Sequence, residues 1–234
     1  MTPSQKRFFG TGLPGVDPAT LRGKLIVIEG SDGSGRTTHI NLLRDWLERS
    51  GYATAEVGLK RSMLVSGELE QAKQGNILGP LTLTLFYATD FADQLENKII
   101  PALRSSFIVL ADRYIYTMMA RAIVRKLDPA WVKTIYNIAL IPDAVFYLEV
   151  PPRVLAERIY RKGQLLDYWE SGMDVAHSGD MYASFIRYQR QMVTEFKAMQ
   201  KTYGFDVVNG NRSPRLVSKD LQAKIQGILG DGQG

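Results

Sequence analysis

Eight consecutive residues, Gly30-Ser31-Asp32-Gly33-Ser34-Gly35-Arg36-Thr37, carry the most specific chemistry in this chain. Glycines at this density let a backbone curl until successive N–H groups face one anion, and the N-terminus of a following helix adds partial positive charge. The spacing fits the phosphate-loop pattern GxxxxGK[ST] with one departure, because Arg36 stands where lysine is usual. Both are cations, but a guanidinium is a broad fork and an ammonium a point charge. The amides from Ser34 through Thr38 would cradle a polyphosphate, with Gly30, Gly33 and Gly35 shaping the loop. Thr37 would offer its hydroxyl to Mg²⁺. A glycine-rich turn without a ligand is the alternative, and the strand before and helix after the loop argue against it.

Three further groups belong with this loop. Asp112-Arg113-Tyr114 follows an apolar run, so its carboxylate is placed to hold Mg²⁺ through water and Arg113 to clamp a second phosphate. Seen alone, the triplet would be an Asp helix cap beside a surface arginine. Arg158, Arg161 and Lys162 share one amphipathic segment. They repel one another unless an anion or acidic partner neutralises them. They form either a solvated basic face or a lid that supplies cations to transferring phosphates. The polar segment 163–179 would be its flexible part. Asn209 and Asn211, in the loop 209–213, would border a nucleobase or form an ordinary turn.

The elements that must position these groups alternate. Apolar runs at Lys24–Glu29, 54–57, 107–111, 144–150 and 205–208 predict strands. Helical periodicity fills 36–50, 80–104, 114–126, 129–139, 152–162, 179–203 and 213–229. Such alternation predicts an α/β fold with a parallel sheet covered on both faces, and ligands beyond the carboxyl ends of its strands. Residues 1–22 predict an arm, 23–229 the nucleotide-binding domain, and 230–234 a flexible tail.

Composition sets the outer bounds. Hydrophobic residues make up 45% and charged residues 23%, ordinary for a globular protein with a real core. The absence of cysteine excludes disulfides and thiolate metal sites, and allows a reducing, cytoplasmic home. No stretch reaches the roughly 18 apolar residues of a membrane span. A net charge of +5 suits polyanionic ligands, but without a basic run interleaved with aromatics it does not point to nucleic acid. His39 and His177 lack metal-ligand partners and are expected to be structural or surface residues. Tyr182, Phe185, Tyr188 and Gln189 form a packing stripe, and Trp46 and Trp131 are expected in a core or interface.

Taken in order, IEGSDGSGRTT (28–38), LFYATDFADQLENKIIPAL (85–103), ADRY (111–114), PDAVFYLEVPPRVLAERIYRKG (142–163) and DYWE (167–170) resemble the thymidylate kinase family of nucleoside monophosphate kinases. The resemblance implies a three-layer P-loop kinase fold with a five-stranded parallel sheet, usually dimeric. It implies Mg²⁺ and ATP as co-substrate, with a nucleotide acceptor. Asp32 would lie near the acceptor sugar and the reacting phosphates. Arg113 would hold the monophosphate, with Tyr114 also on the substrate side, Phe86 would stack on the base, Arg36 would bridge the β- and γ-phosphates, and Arg158 and Arg161 would cover the transferred group.

The acceptor side departs from the family. The Glu-Pro segment after the second strand is replaced by Glu56-Val57-Gly58-Leu59-Lys60. Phe91 stands where an arginine would help recognise the base, in Asp90-Phe91-Ala92-Asp93. Asp90 and Asp93 either reach an acceptor or lie on a solvated face. The family's base-contacting Tyr-Gln pair falls at Arg121-Ala122, and the lid's Asp-Arg-x-Glu reads Asp167-Tyr168-Trp169-Glu170. Three functions follow: a nucleoside monophosphate kinase, a same-fold kinase with another acceptor, or a nucleotide-binding protein with little catalysis.

Overall fold

A computed structural model describes residues 6–75, 78–175 and 179–230. His177, the first residues of the arm and the end of the tail lie outside the described residues. The parallel strands β1 (Lys24–Glu29), β2 (Thr54–Gly58), β3 (Ile108–Asp112), β4 (Ala144–Glu149) and β5 (Asp206–Asn209) form one sheet in the order β2-β3-β1-β4-β5. Each strand starts and ends within a residue or so of its sequence prediction. Helices α1 (Arg36–Arg49), α2 (Ser66–Gln74), α3 (Pro80–Gln94), α4 (Ile100–Arg104), α5 (Ile115–Val124), α6 (Pro129–Ile135), α7 (Pro152–Arg161), α8 (Met181–Tyr203) and α9 (Pro214–Gly230) cover it.

Period-two alternation in the strands builds the three layers. Leu25, Val27, Val109, Ala111 and Tyr147 face a core shared with α3, α5 and α8. Ile26, Ile28, Leu110, Phe146 and Leu148 face the opposite way, onto Ile40, Leu43 and Leu47 of α1 and Val217, Leu221 and Ile225 of α9. Each fully buried side chain of this kind contributes about 1.5–3 kcal/mol, so both faces anchor the loops at the strand ends firmly.

Three features differ from the sequence expectation, the simplest being that the helix expected over 129–139 ends at Ile135. The span 80–104 is not one α-helix, since Leu95–Ile99 is a π-helical turn joining α3 to α4. Pro101 cannot donate a backbone hydrogen bond, and a wider turn before it spares the ladder. The remaining feature is α2, whose Ser66-Gly67 start and mostly polar sequence hid its period. Trp131 is 36% exposed and lies outside the core, whereas Trp46 packs partly against the α1–α9 layer. Tyr182 is exposed while Phe185, Tyr188 and Gln189 of the same helix are buried.

Residues 7–12 run along residues 137–141, joined by backbone hydrogen bonds. Phe8 bridges Leu140, Lys6 pairs with Asp143 at 2.5 Å, and Phe9 meets Tyr116 and Tyr203 edge-on. No helix among the described residues is long and apolar enough to cross a membrane.

Candidate active site

The phosphate loop runs from β1 into α1, where the strand order reverses. Gly35 (φ +97°) precedes α1 and no side chain caps the helix, so its first-turn amides are open to an anion. Gly33 (φ +82°) needs both the left-handed backbone and the missing side chain, because a Cβ there would lie 2.9 Å from the Leu155 carbonyl. Thr37 and Thr38 are exposed at the mouth of a cleft of about 470 Å³, which Asp32, Gly33, Lys162, Asp167 and Glu170 help to line. A second hollow of about 330 Å³ adjoins it, lined by Ser34, His39, Arg158, Arg161 and Gly210 among others. His39 is buried there; burial first, and Arg158 second, hold its imidazole below the usual histidine pKa.

Arg36 lines the cleft, but it is 8% exposed and each of its guanidinium nitrogens is already donating. Its guanidinium folds under its own loop, with Nη1 donating to the Gly30 and Ser31 carbonyls at 2.5 and 2.6 Å. Nε donates to Asp112 Oδ1 at 2.7 Å and Nη2 to Asp32 Oδ1 at 3.2 Å. A lysine has one nitrogen and cannot span these four acceptors. Thr37 Oγ1 donates to Asp112 Oδ2 at 3.1 Å. Burial works against ionising Asp112, but Arg36 and Arg113 outweigh it and hold its pKa below the carboxylate range. An ionised carboxylate beside a hydroxyl, next to open phosphate-binding amides, is a donor set that fits Mg²⁺ carried on a polyphosphate.

Arg113 sits at φ +73°, a strained conformation for a residue with a side chain. It turns the chain so that Nη2 donates to Asp32 Oδ1 at 2.5 Å, while Nη1 lies 3.8 Å from Glu170 Oε1. Burial opposes the Asp32 charge too, but Arg113, Arg36 and Arg121 pull its pKa well below the carboxylate range. The turn rests on Glu29, fully buried at the end of β1, which accepts from the amides of Tyr114 and Thr117 and from the Thr117 hydroxyl. Burial pushes the Glu29 pKa up despite these donors.

The remaining predicted residues fall in several places. Tyr114 is buried and donates to the Leu140 carbonyl at 3.1 Å, while Phe91, 5% exposed, meets Tyr114 and Tyr136 edge-on in the core. Phe86 packs half-buried against the same core. Asp90 has no exposed surface and binds the β2–α2 loop; Asp93 accepts from the Ser62 hydroxyl at 2.6 Å. Arg121 is buried between the Tyr87 hydroxyl and Glu170. Arg158 Nη2 donates to the Gly210 carbonyl at 3.0 Å and approaches Asn211 Oδ1 at 3.4 Å, joining α7 to the loop after β5. Arg161 is 81% exposed, with a loose 3.9 Å pair to Glu157, and Asn209 is exposed.

Sequence reasoning assigned no role to Arg61, whose Nη2 lies 3.8 Å from Asp112 Oδ2. The signal was available: Arg61 follows the carboxyl end of a parallel strand, where such sheets bind ligands. Arg125 was missed as well. It donates to Asp174 and the Tyr188 hydroxyl, and to the Trp169 carbonyl at 2.9 Å, tying the base of segment 163–175 to α5.

A phosphate loop at the switch point of a five-stranded parallel sheet, with a carboxylate and an arginine closing the adjacent strand, defines a nucleotide kinase of the P-loop class. Similarity to known proteins narrows this class. The family model "Thymidylate kinase" matches residues 28–217. "Probable thymidylate kinase 2" of Saccharolobus solfataricus is 37% identical over 214 residues, covering 90% of this chain and 97% of that protein. "Probable thymidylate kinase" of Pyrobaculum aerophilum is 30% identical over 206 residues, covering 87% and 97%. A protein of that same name from Pyrococcus horikoshii is 32% identical over 157 residues, covering 63% and 75%. The chain belongs to the thymidylate kinase family and is a divergent member of it.

Proposed function

We propose that the protein transfers the γ-phosphate of Mg·ATP to a nucleoside 5′-monophosphate, dTMP or a related pyrimidine nucleotide. The observation that carries this reading is the juxtaposition of uncapped α1 amides and Asp32 in one cleft, with Arg113 donating to that carboxylate from the end of β3. The donor triphosphate would lie on the amides of Ser34 to Thr38, its base in the hollow beside Arg158, Gly210 and Asn211. Mg²⁺, held by Thr37 and Asp112, would supply charge neutralisation at the β- and γ-phosphates. An acceptor phosphate oxygen attacks the γ-phosphorus, the bond to the β–γ bridging oxygen breaks, and ADP leaves with the released charge. The acceptor is already an anion at neutral pH, so alignment and charge stabilisation suffice. Arg113 orients the acceptor, and Arg158, Arg161 and Lys162 screen the transferred group. A homodimer through α3 belongs to the same reading; Leu81 and Leu85, 50% and 46% exposed, support it.

A same-fold kinase with a different acceptor is the second reading. Phe91 in the core and Arg121 paired with Glu170 favour it, since neither side chain is free as placed to read a pyrimidine edge. Incubation of a nucleoside and monophosphate panel with Mg·ATP separates the two. Turnover confined to dTMP and close relatives supports the first. Turnover of a nucleoside or an unrelated nucleotide instead overturns it in favour of the second. ATP binding without any transfer would contradict both.

A further inference from the structure

The loop between β2 and α2 is pinned by a buried pair on α3. Asp90, with no exposed surface, accepts the Lys60 amide on Oδ2 and the Ser62 amide on Oδ1, both at 2.9 Å. Gln94 imitates a neighbouring strand: its Oε1 accepts the Gly58 amide at 3.1 Å, and its Nε2 donates to the Gly58 carbonyl at 2.7 Å. The same Nε2 donates to Asp90 Oδ2 at 3.0 Å, which locks the two side chains together. Lys98 Nζ completes the clamp with a 2.8 Å bond to the Arg61 carbonyl. Every residue from Gly58 to Ser62 except Leu59 is therefore fixed through its backbone. Lys60 is held at φ +59°, a conformation that disfavours a side chain.

Burying a carboxylate this deeply opposes folding, and burial raises the Asp90 pKa despite its donors. The loop carries Arg61, whose Nη1 donates to Glu56 Oε2 at 3.3 Å and whose Nη2 lies 3.8 Å from Asp112 Oδ2. Gly58 makes room for that approach: a Cβ there would meet the Asp112 carbonyl at 2.7 Å and Arg61 Nε at 3.4 Å. Asp90, Gln94 and Arg113 line one narrow crevice, so the clamp and the arginine at the end of β3 are neighbours.

We propose that Asp90 and Gln94 are positioning residues for phosphoryl transfer, acting through the β2–α2 loop to hold the Arg61 guanidinium between Glu56 and Asp112. The inference rests on the nucleotide kinase reading above. Neither side chain touches substrate; the clamp fixes a cation in advance, so little reorganisation is needed when the acceptor phosphate arrives.

A double-mutant cycle tests this on the full chain, with Mg·ATP and the best acceptor from the panel. Asp90→Asn replaces one acceptor oxygen by a donor facing an amide, and should lower kcat/KM for the acceptor about ten- to a hundredfold. The KM for ATP should stay within about twofold. Arg61→Ala should give a similar loss, and Asp90→Asn added to Arg61→Ala should cost no more than about a further twofold. If Asp90→Asn does not fold, Lys98→Met, which removes only the bond to the Arg61 carbonyl, should show the same pattern at smaller amplitude. Losses that multiply in the double mutant, or a fall in ATP and acceptor affinity alike that tracks melting temperature, overturn the inference and leave the kinase reading standing. A wild type inert toward every acceptor overturns both.

Discussion

Replacing Arg36 by lysine is the change that most directly separates a loop brace from a phosphate-contacting cation. The guanidinium makes four hydrogen bonds within the loop and to Asp112 and Asp32, and is 8% exposed. A lysine ammonium can replace at most about two of these from one point, so about two hydrogen bonds between charged or buried groups are lost. At about 1.5–3 kcal/mol each, partly offset by relaxation and water entry, the net loss in the nucleotide-free protein should be about 2 kcal/mol. A chain of this size loses about 2–4 °C of melting temperature per kcal/mol, so thermal unfolding without ligand should fall by about 4–8 °C. Mg·ATP should then raise the melting temperature of the variant by more than it raises that of wild type, because the freed cation reaches the triphosphate. Differential scanning calorimetry with and without Mg·ATP reads both numbers. An Arg36→Lys protein as stable as wild type without ligand would refute the brace.

Asp112→Asn removes one partner of a buried pair and should destabilise by about 3 kcal/mol at pH 7. The folded Asp112 pKa lies below its unfolded value, so this advantage is full above the ordinary carboxylate range and lost as pH falls through the folded pKa; urea titrations at pH 7 and below pH 4 should show the gap narrowing. Phe91→Ala should cost about 3–5 kcal/mol in chemical denaturation, since the ring packs against Tyr114 and Tyr136; a loss under 1 kcal/mol would argue that the ring faces a ligand site. Arg125→Met should increase proteolytic cutting between residues 163 and 175 at a concentration that leaves wild type intact, because Asp174, Tyr188 and the Trp169 carbonyl lose their shared donor.

The sheet was legible because its strands are buried on both faces and appear as continuous apolar runs, β1 to the residue. The phosphate loop was legible because glycine and hydroxyl spacing is local chemistry. What stayed hidden depends on long-range partners. Nothing in the sequence near Arg36 shows that it turns inward, because its carboxylate partner Asp112 is 76 residues away. Asp90 reads equally as acceptor contact or solvated residue until the loop folds over it. The π-helical turn before Pro101 and the polar α2 escaped a periodicity argument for a related reason, since one breaks the 3.6-residue repeat and the other shows little apolar contrast.

Isothermal titration of the purified chain with ATP, with and without magnesium, addresses the phosphate loop most directly. The expected result is one saturable site per chain that tightens when Mg²⁺ is supplied and is lost when Gly33 is replaced by valine. Absence of measurable heat from Mg·ATP at millimolar concentration, or equal binding by Gly33→Val, would contradict the assignment of the α1 amides as the triphosphate cradle.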